Sequence, residues 1–489
     1  MRKTLLILTL LLGSLFITNA QEINTDSLKY ELKIYREILE NSHSGLNLYT
    51  SNESFDKLFT EANKKVENVK NLQDYFKIVA NIHTKIHCGH SSVYYFLSEK
   101  ETEELTASLF PARFSFLNKD LFIRETFSDI PAGSQVIKIN NKTVKEIVEE
   151  SFNLISSDGY NTTFKYRQLE QEFSVYLYYS LGKQKEYTVK YIDYNTGKEE
   201  IKTVTSVKSE VFGDAPKEKG FDEIYKLEIK DNTTAILTVN SFNTETKKLT
   251  KKYFKFLKRS FKKIKKSGVK NLIIDIRENT GGNDGNDMEL ASYIIKKPFK
   301  ENKYRQLKTT NLLIYPEYAS EYLREMLQVD EDITGKEMSE MMKKECEKEY
   351  GKTPSEDGFF YLKEENVIKK KPNKNSFAGQ VYIMTSGNVF SGGGLFSALV
   401  RDKSDAIFVG EETGGGYYRH TGSIPLIYKL PYSELQFSIF TVINEQDVDQ
   451  KLFPNGTGTR PHYKVYQTPT QMLENKDAVL EKCMQLIKK

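Results

Sequence analysis

The spacing of apolar residues divides the chain into regions of different character. Residues 26–87 carry apolar side chains at helical intervals in three stretches, at 28–39, 55–66 and 76–86. Gly89 interrupts the third stretch, and the run Ser92-Val93-Tyr94-Tyr95-Phe96 is typical of a strand. We therefore predict an N-terminal helical region over residues 21–107.

Residues 108–208 show a different pattern, with short β-type runs separated by turn residues. Residues 133–144 alternate as a strand does and turn at Asn140-Asn141, and a helix is predicted from about Val144 to Phe152. Strand, turn and helix in this order are typical of a PDZ-like module, which binds a peptide as an added strand. Any other small β-rich module fits the pattern equally well.

Residues 225–489 alternate between buried-type strands and amphipathic helices. Strands are predicted at 235–239, 272–276, 381–384 and 407–409, and helices at 248–266 and 391–401. Residues 300–376 interrupt this order with a charged, Met-rich insertion that is predicted to be mostly helical and is a candidate lid. The fold class predicted is α/β, in a multi-domain α+β chain.

The first twenty residues have the pattern of a secretory signal peptide. Arg2 and Lys3 precede the apolar stretch 5–12, and Ala20 offers a small residue for cleavage before Gln21. A membrane anchor is the alternative that we favour less, because charged helical segments follow at once. No cysteine follows the apolar stretch as a lipid attachment point, and no later segment reaches about 18 consecutive apolar residues. We expect a periplasmic or secreted mature chain without a membrane span.

Composition and charge exclude some classes of protein and of binding partner. The 489 residues are 38% hydrophobic and 28% charged, which excludes a wholly disordered chain. A net charge of +4 does not indicate a nucleic-acid partner, and the eleven Lys and Arg residues in 247–266 are interpreted as the solvated face of a helix. Three cysteines are too few for a disulfide scaffold, although a Cys346–Cys483 bond is conceivable.

A serine stands at a predicted strand-to-helix junction, in the segment Thr385-Ser386-Gly387-Asn388-Val389-Phe390-Ser391-Gly392-Gly393-Gly394. A hydroxyl at such a turn lies beside free backbone N–H groups, as a nucleophile with an oxyanion site requires. The alternative is that Ser391 only caps the helix. The Gly-x-Ser-x-Gly elbow of ordinary α/β-hydrolases is absent.

A glycine pair follows another buried strand, in Asp275-Ile276-Arg277-Glu278-Asn279-Thr280-Gly281-Gly282-Asn283. Glycines at a strand end can present N–H groups as an anion nest, so Gly281 or Gly282 is a candidate second oxyanion donor. A plain β-to-α turn is the alternative reading.

Three of the six histidines lie close together at 83, 87 and 90. The spacing and Cys88 suggest a metal site, but His83 continues an apolar helical face and no Glu stands inside the pair. We favour a core role for His83 and predict neither a metal nor a cofactor. His90, which follows Gly89, is the candidate general base.

Taken together and in order, these motifs resemble the tail-specific (carboxy-terminal processing) protease family. The resemblance is greatest to the branch with the tricorn core protease and the interphotoreceptor retinoid-binding protein repeats. Besides the Gly-His pair and the two segments above, it rests on Val409-Gly410-Glu411-Glu412-Thr413-Gly414-Gly415 and on Gly458-Thr459-Arg460-Pro461. It covers nearly all of the mature chain and implies a crotonase-like α/β/α protease core over residues 225–489.

The resemblance implies a serine peptidase in which Ser391 is the nucleophile, His90 the base and Gly392 the first oxyanion donor. A Ser–Lys dyad is excluded, because glycine stands where the family's lysine would fall after Thr413. The chain departs from the family at Cys88, where Asp is common, and in its last motif, where Asn455 and His462 replace acidic residues. Asn455 and Ser91 (or Ser92) remain candidates to orient His90.

Two functions follow from the sequence. The first is an exported serine peptidase that cleaves peptides or unfolded protein tails, with the PDZ-like module feeding or gating the substrate. The second is a catalytically silent module that binds a peptide or an apolar ligand on the same fold, which the missing acidic residues favour. An esterase or other acyl hydrolase on the same site is a further possibility.

Overall fold

The structure is a computed structural model that describes residues 23–209, 217–330 and 332–488. The predicted signal peptide lies outside these residues. Within them, no helix is both long and apolar enough to cross a membrane.

Helices dominate the start of the described chain. Asn24, Ser51 and Asn71 each accept a hydrogen bond from the first turn of the helix that follows, which determines where each helix begins. The helices pack their apolar faces into one core together with strands from the second half of the chain. The elements are α1 (Thr25–Ser42), α2 (Asn52–Val66), α3 (Leu72–Thr84), β1 (Ser92–Tyr94) and α4 (Glu99–Thr106).

An antiparallel sheet with its own hydrophobic core follows. Its strands run in the order β2-β3-β4-β6-β7, with β5 beside β4, and Asn140 makes the predicted turn with φ of 51°. The elements are β2 (Phe114–Leu117), β3 (Asp120–Ile123), β4 (Gln135–Ile139), β5 (Lys142–Thr143), α5 (Val144–Phe152), α6 (Thr163–Gln171), α7 (Phe173–Leu181), β6 (Glu186–Ile192) and β7 (Glu199–Thr205).

The α/β region begins with strands that flank a long amphipathic helix. That helix buries Tyr253, Leu257, Phe261 and Ile264 on one face, and its lysines and Arg259 lie on the rest of its surface. The elements are α8 (Phe221–Ile224), β8 (Tyr225–Ile229), β9 (Thr234–Val239), α9 (Lys247–Ser267), β10 (Asn271–Asp275) and α10 (Asn286–Ala291).

The insertion at 300–376 is not mostly helical, and that prediction was wrong. It contains strands, two helices and short 3₁₀ turns: β11 (Phe299–Lys300), β12 (Asn302–Leu307), α11 (Glu321–Leu327), α12 (Gly335–Tyr350), β13 (Phe360–Tyr361) and β14 (Lys369–Lys370). Its strand β12 pairs with a strand near the end of the chain, a long-range pairing that local periodicity cannot reveal.

The remaining elements complete two sheets. They are β15 (Gln380–Thr385), α13 (Gly392–Lys403), β16 (Ile407–Gly410), β17 (Arg419–Lys429), β18 (Gln436–Gln446), β19 (Tyr463–Lys464), α14 (Pro469–Leu473) and α15 (Ala478–Ile487). Cys88, Cys346 and Cys483 are buried and free, so the conceivable Cys346–Cys483 bond does not form.

The two sheets determine where the site lies. The main sheet has the order β19-β16-β15-β10-β9-β8, and every pair except β8–β9 is parallel. The loops after β10 and β15 therefore leave the same edge side by side. A second sheet of order β1-β18-β12-β13, with β17 against β18, brings the start of β1 to that edge. The predicted mixed α/β fold is confirmed.

Candidate active site

Ser391 stands at the turn between β15 and α13 in a strained backbone conformation. Its φ is 51° and its ψ is −125°, a combination that non-glycine residues rarely adopt. Its side chain makes no capping hydrogen bond to the helix. The interpretation of Ser391 as a simple helix cap is therefore wrong, and its hydroxyl is left for another role.

The loop after β10 packs directly against this turn. Asn279 is completely buried, and its side chain accepts from the N–H of Gly281 at 2.9 Å and donates to the carbonyl of Val239 at 3.0 Å. Its carbonyl also accepts from the N–H of Phe390 at 3.1 Å. One buried asparagine thus ties the glycine loop to the residue that precedes Ser391.

The geometry separates the roles of the two glycines. The N–H of Gly281 is used by Asn279, so it does not point at a substrate. The N–H groups of Gly282 and Gly392 have no acceptor within the described part of the chain. A Cβ atom on residue 392 would lie 3.6 Å from the nitrogen of Gly282, so the two free donors are close neighbours.

His90 is held at the same edge by the pairing of β1 with β18. The preceding N–H, of Gly89, donates to Asp158 Oδ1 at 2.8 Å. The imidazole ring of His90 lies among three other rings, with centroids at 4.5 Å (Phe390), 5.3 Å (His420) and 5.4 Å (Phe440). Burial, and then the neighbouring His420, hold the pKa of His90 well below its ordinary value, so the ring is neutral at neutral pH.

One cavity of about 230 Å³ joins these groups. Ser391, His90 and the two glycines with free N–H groups all line it. The remaining lining residues come from five segments of the chain: Asn283, Asp284, Asp287, Glu301, Asn302, Arg305, Leu395, His420, Gly422, Ser423, Phe440 and Asn444. None of these twelve residues was a candidate site residue on sequence grounds.

The predicted orienting residues make no hydrogen bond to Nδ1 of His90. Asn455 is exposed on a turn, and the hydroxyl of Ser91 lies 3.1 Å from Cys88 Sγ and accepts from the N–H of Phe440. His90 Nδ1 is buried and has no hydrogen-bond partner among the described residues. Both proposals for the orienting residue are therefore unsupported by the geometry.

Two residues that the sequence analysis missed shape this part of the site. Asp158 accepts from the N–H groups of Gly89 and of Gly416 (3.1 Å), and burial raises its pKa to about 7. His420 stacks on His90, and its pKa is lowered to about 4 by burial. Neither residue stands in a motif, so only the fold could show their proximity.

The cluster of histidines at 83, 87 and 90 does not converge on one point. His83 is buried, with Nδ1 2.8 Å from the hydroxyl of Tyr35, as the core interpretation predicts. His87 Nδ1 lies 2.6 Å from the carbonyl of Gly159 instead. Among the described residues, no group of three or more His, Cys, Asp or Glu side chains is arranged to hold a metal ion.

Comparison with known proteins agrees with the class of site. Residues 233–465 match the model of peptidase family S41, and no curated protein matches the sequence significantly. Residues 233–465, just under half of the chain, therefore form a region of the peptidase family S41 type, in agreement with the resemblance to tail-specific proteases. Ser391 and the glycine loop lie inside the matched range, whereas His90 and Asp158 lie before it.

Solved structures show the fold over almost the whole chain. Mature CPAF is 13% identical with a TM-score of 0.61, and the match covers 95% of this chain and 97% of that one. Mature CPAF complexed with lactacystin is 14% identical with a TM-score of 0.62, and the match covers 95% of this chain and 98% of that one. The photosystem II D1 C-terminal processing protease is more distant, at 10% identity and a TM-score of 0.40, with 90% and 93% covered.

Proposed function

We propose that the chain is an exported serine peptidase that hydrolyses peptide bonds in peptides or unfolded protein tails. The observation that carries the proposal is the cavity itself, in which a strained, uncapped serine meets a neutral histidine and two free N–H donors. Such a set matches the requirements of acyl transfer, namely a nucleophile, a base and an oxyanion site.

In this mechanism Ser391 Oγ attacks the scissile carbonyl carbon while its proton passes to His90. Because Nδ1 is enclosed, Nε2 is the nitrogen that we assign to this transfer. The carbonyl oxygen becomes an oxyanion that accepts from the N–H groups of Gly282 and Gly392. When the tetrahedral intermediate collapses, His90 returns the proton to the leaving amine, and water then hydrolyses the acyl-enzyme by the same steps.

The missing partner of His90 Nδ1 affects the expected rate. An imidazole that acts through Nε2 carries its proton on Nδ1, and an acceptor there stabilises the imidazolium that forms. Loss of the orienting carboxylate lowers kcat by about 10⁴ in serine proteases. We therefore expect slow turnover, and the same observation favours the second candidate, a catalytically silent module that binds peptide.

The β-rich region at 108–208 is proposed as the PDZ-like module that delivers substrate. It contacts the site directly, because the ring of Phe164 stacks on that of Phe390 with centroids 4.7 Å apart. Asn161 Nδ2 also donates to the carbonyl of Thr413 at 2.9 Å, and Thr163 Oγ1 to that of Glu412 at 2.9 Å. A movement of this module would therefore displace Phe390, the residue that precedes Ser391.

Labelling with a fluorophosphonate tests the proposal, because this reagent reacts with an activated serine. We expect labelling of the mature chain that is lost in Ser391→Ala and falls at least about 100-fold in rate in His90→Ala. Ser423→Ala is the matched control, since Ser423 is the second serine that lines the cavity, and it should label like the wild type.

A folded wild type that stays unlabelled, or labelling that survives in Ser391→Ala, would refute the peptidase mechanism. In the first case, peptide binding that is equal in the wild type and in Ser391→Ala would establish the silent module instead. A parallel panel of ester and peptide substrates separates a peptidase from another acyl hydrolase.

A further inference from the structure

The wall of the cavity around α10 and β12 is acidic. Asp284 lies just before α10 and Asp287 lies in its first turn, whereas Glu301 directly precedes β12 and Arg305 lies within it. All four residues line the same cavity as Ser391. The described residues thus place three carboxyl groups and one guanidinium in the space beside the nucleophile.

Asp287 is the unusual member of this group. It is 2% exposed, and neither carboxyl oxygen has a hydrogen-bond partner among the described residues. The backbone N–H groups of Met288, Asp287 and Gly285 favour its ionised form, but none of them makes a hydrogen bond of good geometry. Burial, with Asp284 nearby, raises its pKa to about 7. A buried carboxyl group without partners is costly and calls for a ligand.

Glu301 is buried almost as deeply, at 3% exposed, and it receives one hydrogen bond, from Asn302 Nδ2 at 3.1 Å. Burial, and then Asp287, hold its pKa well above the ordinary value. Two buried acids that repel each other therefore face the cavity, and a positive charge placed between them would favour the ionised form of both.

Arg305 supplies that charge only in part: its positive charge lowers the pKa of Glu301, but its direct contacts lie elsewhere. Its guanidinium donates to Asp284 Oδ2 at 3.1 Å and to Ser423 Oγ at 2.6 Å. It forms no ion pair with Asp287 or Glu301 within 4.0 Å in the described structure. Asp287 and Glu301 are thus left without a direct ion pair, because the exposed Asp284 is the carboxylate that Arg305 contacts.

We infer that Asp287 and Glu301 form a specificity subsite for the cationic side chain of a lysine or arginine residue beside the scissile bond. A metal ion fits less well, since the described residues show no metal-ligand cluster. An ammonium or guanidinium group donates several hydrogen bonds and matches the unpartnered oxygens. The position relative to the scissile bond rests on the proposed function, because it is defined by the shared cavity with Ser391.

Binding to the Ser391→Ala protein tests the subsite independently of catalysis. Peptides that differ only in lysine or norleucine, and in arginine or citrulline, have similar shape and differ in charge. We expect the cationic member of each pair to bind at least about ten-fold more tightly. An N-acetylated version of each peptide separates the side chain from the α-amino group, and acetylation should leave the preference unchanged.

Asp287→Asn and Glu301→Gln, each made in the Ser391→Ala protein, should reduce the preference to about two-fold or less. The matched control is Glu289→Gln on the same helix. Glu289 pairs with Lys370 at 2.7 Å and does not line the cavity, so the preference should persist. Thermal melts establish that each variant is folded, and Glu301→Gln decides the matter if Asp287→Asn does not fold.

Equal binding of the paired peptides, no binding of any peptide at millimolar concentration, or a preference that survives both substitutions would overturn the inference. A preference for the α-amino group alone would do the same. A charge preference together with a serine that does not react with fluorophosphonate would retain the subsite and refute the peptidase mechanism, so the two failures are distinguishable.

Discussion

Substitution of Gly281 by alanine is expected to disable the site without unfolding the protein. Gly281 has φ of +101°, and a Cβ atom there would lie 2.6 Å from Ser391 Cβ and 2.8 Å from the nitrogen of Gly392. Carbon atoms in contact normally stand about 3.5–4.0 Å apart, so Ser391 must move by about 1 Å. A misplacement of about 1 Å at a reacting group costs roughly 100-fold in rate.

The control is Gly351→Ala. Gly351 has nearly the same backbone angle, φ of +97°, but a Cβ atom there has no neighbour within 4 Å. Both substitutions introduce backbone strain on the order of 1–3 kcal/mol, and only the one at residue 281 displaces Ser391. The strain therefore cancels when the two variants are compared.

The assay is the second-order rate constant for fluorophosphonate labelling, measured beside the thermal midpoint of each variant. We expect a rate about 100-fold below that of Gly351→Ala. The thermal midpoint of Gly281→Ala should also be the lower of the two, because only this variant adds the overlap with Ser391 to the backbone strain. If the two variants label at the same rate, the contact between the glycine loop and Ser391 does not control the reactivity of the serine, and our account of the site is wrong.

Three further predictions concern strain, protonation and stability. Ser391→Gly should be more stable than Ser391→Ala by roughly 1 kcal/mol of unfolding free energy, because glycine tolerates φ of 51°. Its thermal midpoint should therefore be the higher of the two. An equal or lower midpoint would argue against a strained turn. A histidine of ordinary pKa, 6.5, would be only about a quarter neutral at pH 6. The depressed pKa of His90 keeps it neutral there, so the labelling rates at pH 6 and pH 8 should agree within about two-fold, and a fall to a quarter would contradict this. Arg277 forms ion pairs with Asp275 (2.8 Å) and Asp477 (2.7 Å), so Arg277→Met should lower the free energy of chemical unfolding by about 3 kcal/mol. Asp477→Asn should then lower that free energy by less in the Arg277→Met background than in the wild type. Additive costs would show that the three charges do not act together.

Local signals predicted the parts of the site that are contiguous in the chain. Ser391 and Gly392 were found because glycines follow a serine at a strand-to-helix junction, and the structure places that junction between β15 and α13. The glycine loop was found in the same way, but the sequence could not choose between its two N–H groups. That choice depends on the hydrogen bond from Gly281 to Asn279.

Long-range contacts account for what the sequence missed or mispredicted. His420 and Asp158 stand in no motif, and they reach His90 only through the β17–β18 pairing and through the hydrogen bond to Gly89. The insertion was predicted as mostly helical because its charged, Met-rich pattern is locally helical in places. The pairing of β12 with β18 overrides that local preference and carries Glu301 into the cavity.

The sequence by itself determined the mixed α/β class, the family resemblance and the identity of the candidate nucleophile, because these depend on periodicity and on ordered local motifs. Tertiary structure alone decided which N–H groups are free, what surrounds His90 and which carboxyl groups face Ser391. These properties are set by strands far apart in the chain that meet at one edge of two sheets, and by burial there, which shifts the pKa values of His90, His420, Asp287 and Glu301.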